Sequence, residues 1–135
     1  MQPADSYPVF LTEALKECRD FYCSYFDFEV VFEASWFVLL TSGGECHVSL
    51  AFMHPEHSSS LPTPARFTGD GAIFTIQVED AGAEYEQVVG RGLQCDLTLR
   101  DEPWASAALA SQTRPVSGWT LWSKFNLRAV GGTRI

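Results

Sequence analysis

No stretch of this chain approaches the roughly 20 consecutive apolar residues that a membrane-crossing helix needs. The first ten residues, MQPADSYPVF, lack a basic segment followed by an apolar one, so no secretory leader is expected and the cytoplasm is the default setting. The four cysteines, Cys18, Cys23, Cys46 and Cys95, form no CxxC pair. In such a setting they are expected to be reduced thiols packed as small hydrophobes, not a disulfide framework. Basic residues are few, with 9 Lys and Arg against 17 Asp and Glu and a formal net charge of −8. That balance repels nucleic acid and anionic membrane, so neither is expected as a partner, while a cationic small molecule would be attracted. There is no GxSxG, no P-loop and no glycine-rich dinucleotide turn. Ser58 to Ser60 lie in a Ser/Pro-rich stretch with no orienting base at a suitable spacing, which argues against a serine nucleophile. Acidic residues are also missing from the last quarter: after Glu102 the only charges are Arg114, Lys124, Arg128 and Arg134.

What is present suits one globular domain of 135 residues, 46% apolar and rich in aromatic rings. Tyr7 to Leu11 has the β-forming content of a first strand. Thr12, followed by Glu13 and Glu17, suggests a capped helix start with acids at its positive end. Leu15, Cys18, Tyr22, Tyr25 and Phe26 then recur at helical spacing, and the helix is expected to end at 25–27. Strands are expected over Glu29–Glu33, Trp36–Thr41 and His47–Met53, with Gly43-Gly44 in the last turn. The Ser- and Pro-rich segment HPEHSSSLPTPARFTGD (54–70) reads as a loop or linker. The same order then begins again, with a strand over Ala72–Val78, a helix over Asp80–Val89 ending near Gly90 and Gly92, and a strand over Leu93–Leu99. The chain thus reads β-α-β-β-β, linker, β-α-β and two further strands, a repeat of about 55 residues.

This order, with RDFYCSYFDFEVVFE (19–33), HVSLAFM (47–53), FTIQVEDAGAEY (74–85) and LRDEPW (99–104), resembles the glyoxalase/bleomycin-resistance/dioxygenase (vicinal oxygen chelate) superfamily over residues 7–104. The resemblance implies an α+β fold of paired βαβββ modules forming a cupped mixed sheet. Residues 1–135 would be a single domain, with module one at about 6–54, a linker at 55–70 and module two at about 71–127. It also implies that the Phe21-Tyr22 pair in the first helix plants two rings in the cup. Metal-dependent members of the family hold a divalent ion with His and Glu from both modules. Here the matching positions fall on Tyr7, Gly71 and Trp122, with the fourth near Ser49 or Leu50, and none suits such an ion. His54, Glu56 and His57 in HPEH offer another conceivable metal cluster, at a spacing that matches no rigid ligand pair, and His47 reads as an ordinary strand residue.

The resemblance therefore points to a metal-free small-molecule binding protein of the bleomycin-resistance branch, with no cofactor and no catalytic residues. It would be a homodimer that sequesters a cationic or aromatic ligand. Trp36, Phe37, Ser49, Phe52, Phe74, Glu102 and Trp104 are the residues expected around its groove, rings for stacking and acid for charge. Two alternatives stay open: a metal-dependent glyoxalase-like lyase or dioxygenase, and an inactive member acting only in oligomer assembly.

The ending departs from the family pattern. Relatives with DEPW continue with Gly-Gln-Arg, a strand and an Asp-Pro-x-Gly turn, whereas this chain reads ASAALASQTRPVSGWTLWSKFNL after Trp104. Synonymous codons for that stretch, read from the third base of the Trp104 codon, restore both Gly-Gln-Arg and Asp-Pro-Thr-Gly at the family spacing. One missing base there would explain the acid-free tail, and the alternating TLWSKFNL keeps strand character even so.

Overall fold

A computed structural model describes residues 1–44, 47–59, 67, 74–93, 100–102, 105–110 and 125–129. The chain divides into two compact units, Met1–Phe67 and Thr68–Ile135, with the boundary inside the segment expected to be a linker. In the first unit β1 (Val9–Leu11) leads into α1 (Leu15–Phe26), followed by β2 (Phe28–Ala34), β3 (Phe37–Ser42) and β4 (Ser49–Met53). The four strands form one mixed sheet in the order β1-β4-β3-β2, parallel between β1 and β4 and antiparallel elsewhere.

Residues in register share a face and successive residues alternate, so the register sorts this sheet into two sides. Phe10, Phe52, Val38 and Glu33 form one row; Leu50, Leu40 and Val30 the next. Their side receives α1. Tyr22 is buried there, its ring stacked at 5.8 Å on Phe52 and edge-on at 5.5 Å to Phe28. Phe52, Leu40, Leu50 and Val38 have no exposed surface, and Cys18 almost none. At the rim, the Arg19 guanidinium of α1 donates to both carboxylate oxygens of Glu33, at 2.9 and 2.7 Å, tying the helix to edge strand β2.

Local chemistry explains the ends of α1, and one expectation fails there. Thr12 is not the helix cap: its hydroxyl accepts from the Ala14 N–H at 3.1 Å, and Ala14 occupies the cap position without a side-chain bond. Thr12 is instead completely buried, with its main-chain N–H donating to the Met53 carbonyl at 2.8 Å. Asp27 closes the helix in the left-handed region at φ 56°, a conformation that Asp tolerates, and donates its N–H to Tyr22. Gly44, at φ 126°, lies where the β3–β4 turn was expected to need glycine.

The second unit repeats the design. It runs β5 (Phe74–Val78), α2 (Ala81–Gly90), β6 (Arg100–Glu102), β7 (Ala105–Ala110) and β8 (Phe125–Ala129). Its sheet order, β5-β8-β7-β6, has the same parallel first pair as the first unit. Here the cap reading holds, since the Asp80 carboxylate accepts from the Ala83 N–H at 3.0 Å. The two further strands expected beyond the helix are β7 and β8, so the acid-free tail supplies sheet. Of the strand expected at 93–99, Leu93 is buried and 94–99 lie outside the described residues. Elsewhere strand ends differ from expectation by a residue or two, which leaves Trp36 in the β2–β3 turn.

The helix–sheet layer carries a pH dependence. Burial is the main cause that raises the Cys18 thiol, with Glu17 adding to it. Burial likewise raises the Tyr22 phenol, with Cys18 adding to it. Both groups are kept neutral in the fold and ionise first in the unfolded chain. Their contribution is therefore intact at neutral pH and is lost as pH rises through the ordinary thiol and phenol ranges, about 8.5 and about 10. Urea midpoints should fall across that interval, and Cys18→Ala should reduce the earlier part of the fall, to which the Cys23 thiol, also raised by burial, adds. A midpoint that is flat up to about pH 10.5 would contradict this account of the layer.

Candidate functional site

The side of the first sheet away from α1 has a different chemistry. Its rows are Leu11, Met53, Phe37 and Ala34; then Val9, Ala51, Leu39 and Phe32; then Ser49, Thr41 and Glu29. A register shift at Val31, between Val30 and Phe32, returns Phe32 to this side opposite Leu39. The result is an apolar field with a polar end. Phe37 lies 6.1 Å from Phe32 and 5.5 Å from Trp36, ring to ring. At the other end the Ser49 hydroxyl donates to the Thr41 hydroxyl at 3.2 Å, beside the exposed carboxylate of Glu29. Phe32 keeps 51% of its surface, while Phe37, Leu39 and Met53 are half-buried, so the rings are accessible.

The expected site residues divide on this geometry. Trp36 and Phe37 lie together at the apolar end of the open face, and Ser49 lies on the same face at its polar end. Phe52 is a correction: it belongs to the core under α1, because its place in β4 has the opposite parity to Ser49, and it is fully buried. The Phe21-Tyr22 pair is corrected likewise. Tyr22 fills the helix–sheet layer, while Phe21 joins Tyr25 and Phe26 on the helix at 5.3 and 5.8 Å. Phe74 and Glu102 belong to the second unit, where β5 and β6 are the opposite edges of the sheet. Three strand spacings, about 14 Å, separate those edges. Trp104 lies outside the described residues, as do Gly71 and Trp122 among the metal-ligand positions.

The remaining metal-ligand positions fit a divalent ion poorly. Tyr7 is an exposed phenol. Ser49 is engaged by Thr41, and Leu50 is buried on the helix side. The HPEH motif forms a hydrogen-bonded turn. His54 donates its N–H to the Trp36 carbonyl at 2.8 Å, and His57 donates its own to the His54 carbonyl at 3.1 Å. Pro55 thus sits at the second position of a β-turn, where its fixed φ belongs. The Nδ1 of His54 accepts from the Glu56 N–H at 3.2 Å, and the Nδ1 of His57 accepts from the Ser59 N–H at 3.1 Å. An Nδ1 that accepts leaves the ring proton on Nε2, so neither imidazole in this arrangement offers a metal a free lone pair.

Residue reasoning missed the wider membership of the open face, Phe32, Leu39, Thr41 and Met53, and the role of His57. Its ring lies flat on the Trp36 indole, with centroids 3.7 Å apart and planes 5° off parallel. The Phe37-Leu39-Thr41 alternation carried the first signal; the β2 bulge, which places Phe32, left none in the residue pattern.

Two mixed four-stranded sheets of the same order, each with one helix, define the class as an α+β protein built from duplicated βαβββ units. The family model described as Glyoxalase/Bleomycin resistance protein/Dioxygenase superfamily matches residues 7–121, and the chain belongs to this superfamily. Among solved structures it is similar to a glyoxalase/bleomycin resistance protein/dioxygenase from Nocardioides, at 16% identity and a TM-score of 0.69, covering 99% of this chain and 88% of that one. It is also similar to a bleomycin resistance determinant encoded on the transposon Tn5, at 14% identity and a TM-score of 0.67, covering 96% and 99%. A lactoylglutathione lyase from Agrobacterium tumefaciens aligns at 16% identity and a TM-score of 0.63, covering 96% of each chain. No curated protein sequence matches the chain at a significant level.

The two faces make opposite predictions for substitution. Phe52→Ala should cost about 3–5 kcal/mol of stability in urea titrations, the range for a buried ring. Phe37→Ala, on the open face, should cost roughly 1–2 kcal/mol, in keeping with partial burial. Equal costs would contradict the division of the sheet.

Proposed function

We propose that this protein is a metal-free small-molecule binder of the glyoxalase/bleomycin-resistance type that takes a flat aromatic, cationic ligand on the open face of its first sheet. The observation that carries the reading is the chemistry of that face. Trp36, Phe37 and Phe32 offer ring surface at one end, and Glu29 with the Ser49–Thr41 pair offers charge and hydrogen bonding at the other. Rings of this kind suit stacking with a planar ligand, and an acid nearby suits a cation. Thr41 lies four positions along β3 from Phe37, about 13 Å of strand, a span fitting a ligand with an aromatic and a charged part.

The metal-ligand positions support binding over catalysis, since Tyr7, Ser49 and Leu50 supply no imidazole or carboxylate in the first unit. No catalytic step is therefore assigned to this chain. Homodimer formation belongs to the same reading, supported by Val30, Val31 and Phe32 exposed along edge strand β2. So does a cytoplasmic setting.

A thermal-shift screen tests the reading, with Zn²⁺, Ni²⁺, Mn²⁺ and Fe²⁺ in turn and with bleomycin as an aromatic, cationic ligand. A ligand at a hundredfold excess over its Kd adds roughly 2.7 kcal/mol, several degrees in Tm. The expected result is a rise with bleomycin that Phe37→Ala weakens, and no rise with near-stoichiometric metal. A metal-dependent rise would return the lyase or dioxygenase reading. No rise with any of them would favour a family member without this binding role.

A further inference from the structure

Trp36 sits in the turn between β2 and β3, outside both strands, yet its ring lies with those of the open face. Neighbours in a strand point to opposite sides, so an indole one residue before Phe37 would ordinarily turn away from it. Its centroid instead lies 5.5 Å from that of Phe37, with the planes 46° apart. A turn residue has no cross-strand neighbours on a pleated surface to fix its rotamer, and this indole is only half-buried. Its direction therefore depends on a partner from elsewhere in the chain.

His57 is such a partner. Its imidazole lies on the indole with centroids 3.7 Å apart and planes 5° off parallel. The main chain brings it there. The His54 N–H donates to the Trp36 carbonyl at 2.8 Å, which carries the β3–β4 ladder one step past Phe37 and Met53. The turn through buried Pro55 then returns the chain, with the His57 N–H donating to the His54 carbonyl at 3.1 Å. The ring is steadied in its own plane by its Nδ1, which accepts from the Ser59 N–H at 3.1 Å. An imidazole held in this way is a firm backing for the indole.

We infer that His57 is the positioning residue of the ligand face: by covering one side of the Trp36 indole it holds that ring beside Phe37, in the plane on which a flat ligand ring stacks. The ligand here is that of the binding reading above, on which this step rests, whereas the hold on Trp36 rests on the geometry alone.

Two readouts on the full chain test it. The first needs no ligand: fluorine NMR of protein labelled with fluorotryptophan, in which Trp36→Phe identifies one resonance among those of the four tryptophans. His57→Ala should shift that resonance and leave the others in place. The second is titration with bleomycin, whose Kd should rise roughly three- to tenfold in His57→Ala, the worth of one aromatic stack. Two further substitutions separate the stack from the turn. His57→Phe keeps a flat ring without the Ser59 acceptor and should bind as the wild type does. His57→Asn keeps an acceptor for the Ser59 N–H without the ring and should bind as His57→Ala does. In a Trp36→Ala background, His57→Ala should leave the Kd unchanged. An unmoved Trp36 resonance in His57→Ala would overturn the inference, as would a Kd equal to that of the wild type or an equal loss with Trp36 already removed. Failure of the wild type to bind bleomycin would overturn the binding reading and the ligand part with it, while the fluorine resonance still decides the hold on Trp36.

Discussion

The packing of Tyr22 between Phe52 and Phe28 is the contact on which the first unit depends. It fixes which side of the sheet is core, and strand alternation then settles every other position. Once Phe52 and Phe28 face α1, Ala51, Met53 and Ser49 must face away, as must Phe37, Leu39 and Thr41 in register with them. A one-residue slip would bury hydroxyls and expose rings. The Arg19–Glu33 pair reinforces the choice at the rim, and the bulge at Val31 lets β2 present Glu33 to the helix while Phe32 joins the opposite side. Site and core are two consequences of one register.

Much of this was legible beforehand because it rests on period and composition. The helical stripe through Cys18 and Tyr22, the alternation in β3, and the Gly pair in the β3–β4 turn follow from local rules. The β-α-β-β-β order and its repeat carry the family resemblance. Residue pattern was least informative where a side chain's role depends on a distant partner. Phe52 and Ser49 lie in one short strand, and only the position of α1 decides which of them is buried. Thr12 looked like a helix cap because the cap signature is local, yet its burial beneath Met53 is a tertiary fact. The HPEH turn is anchored through Trp36, eighteen residues before His54 in the chain, a contact that no local pattern announces.

The tail teaches a related lesson. A stretch without acids, departing from the family pattern after Trp104, still contributes β7 and β8 in the order that β3 and β4 follow in the first unit. Short apolar alternation is a permissive signal, and pairing partners set by the rest of the unit decide where it goes. Side-chain chemistry is more demanding. A metal site needs particular donors at particular places, and Tyr7, Ser49 and Leu50 offer a phenol, an engaged hydroxyl and a core leucine.

The proposal that this chain of the superfamily binds its ligand without a metal is tested most directly by elemental analysis. The protein would be dialysed against buffer containing Zn²⁺, Ni²⁺, Mn²⁺ or Fe²⁺, and the metal retained after gel filtration counted per chain. The account predicts far less than one equivalent of any ion, unchanged by Tyr7→Phe or His57→Ala. Retention of about one equivalent per chain or per dimer, lost on altering one of those residues, would contradict it.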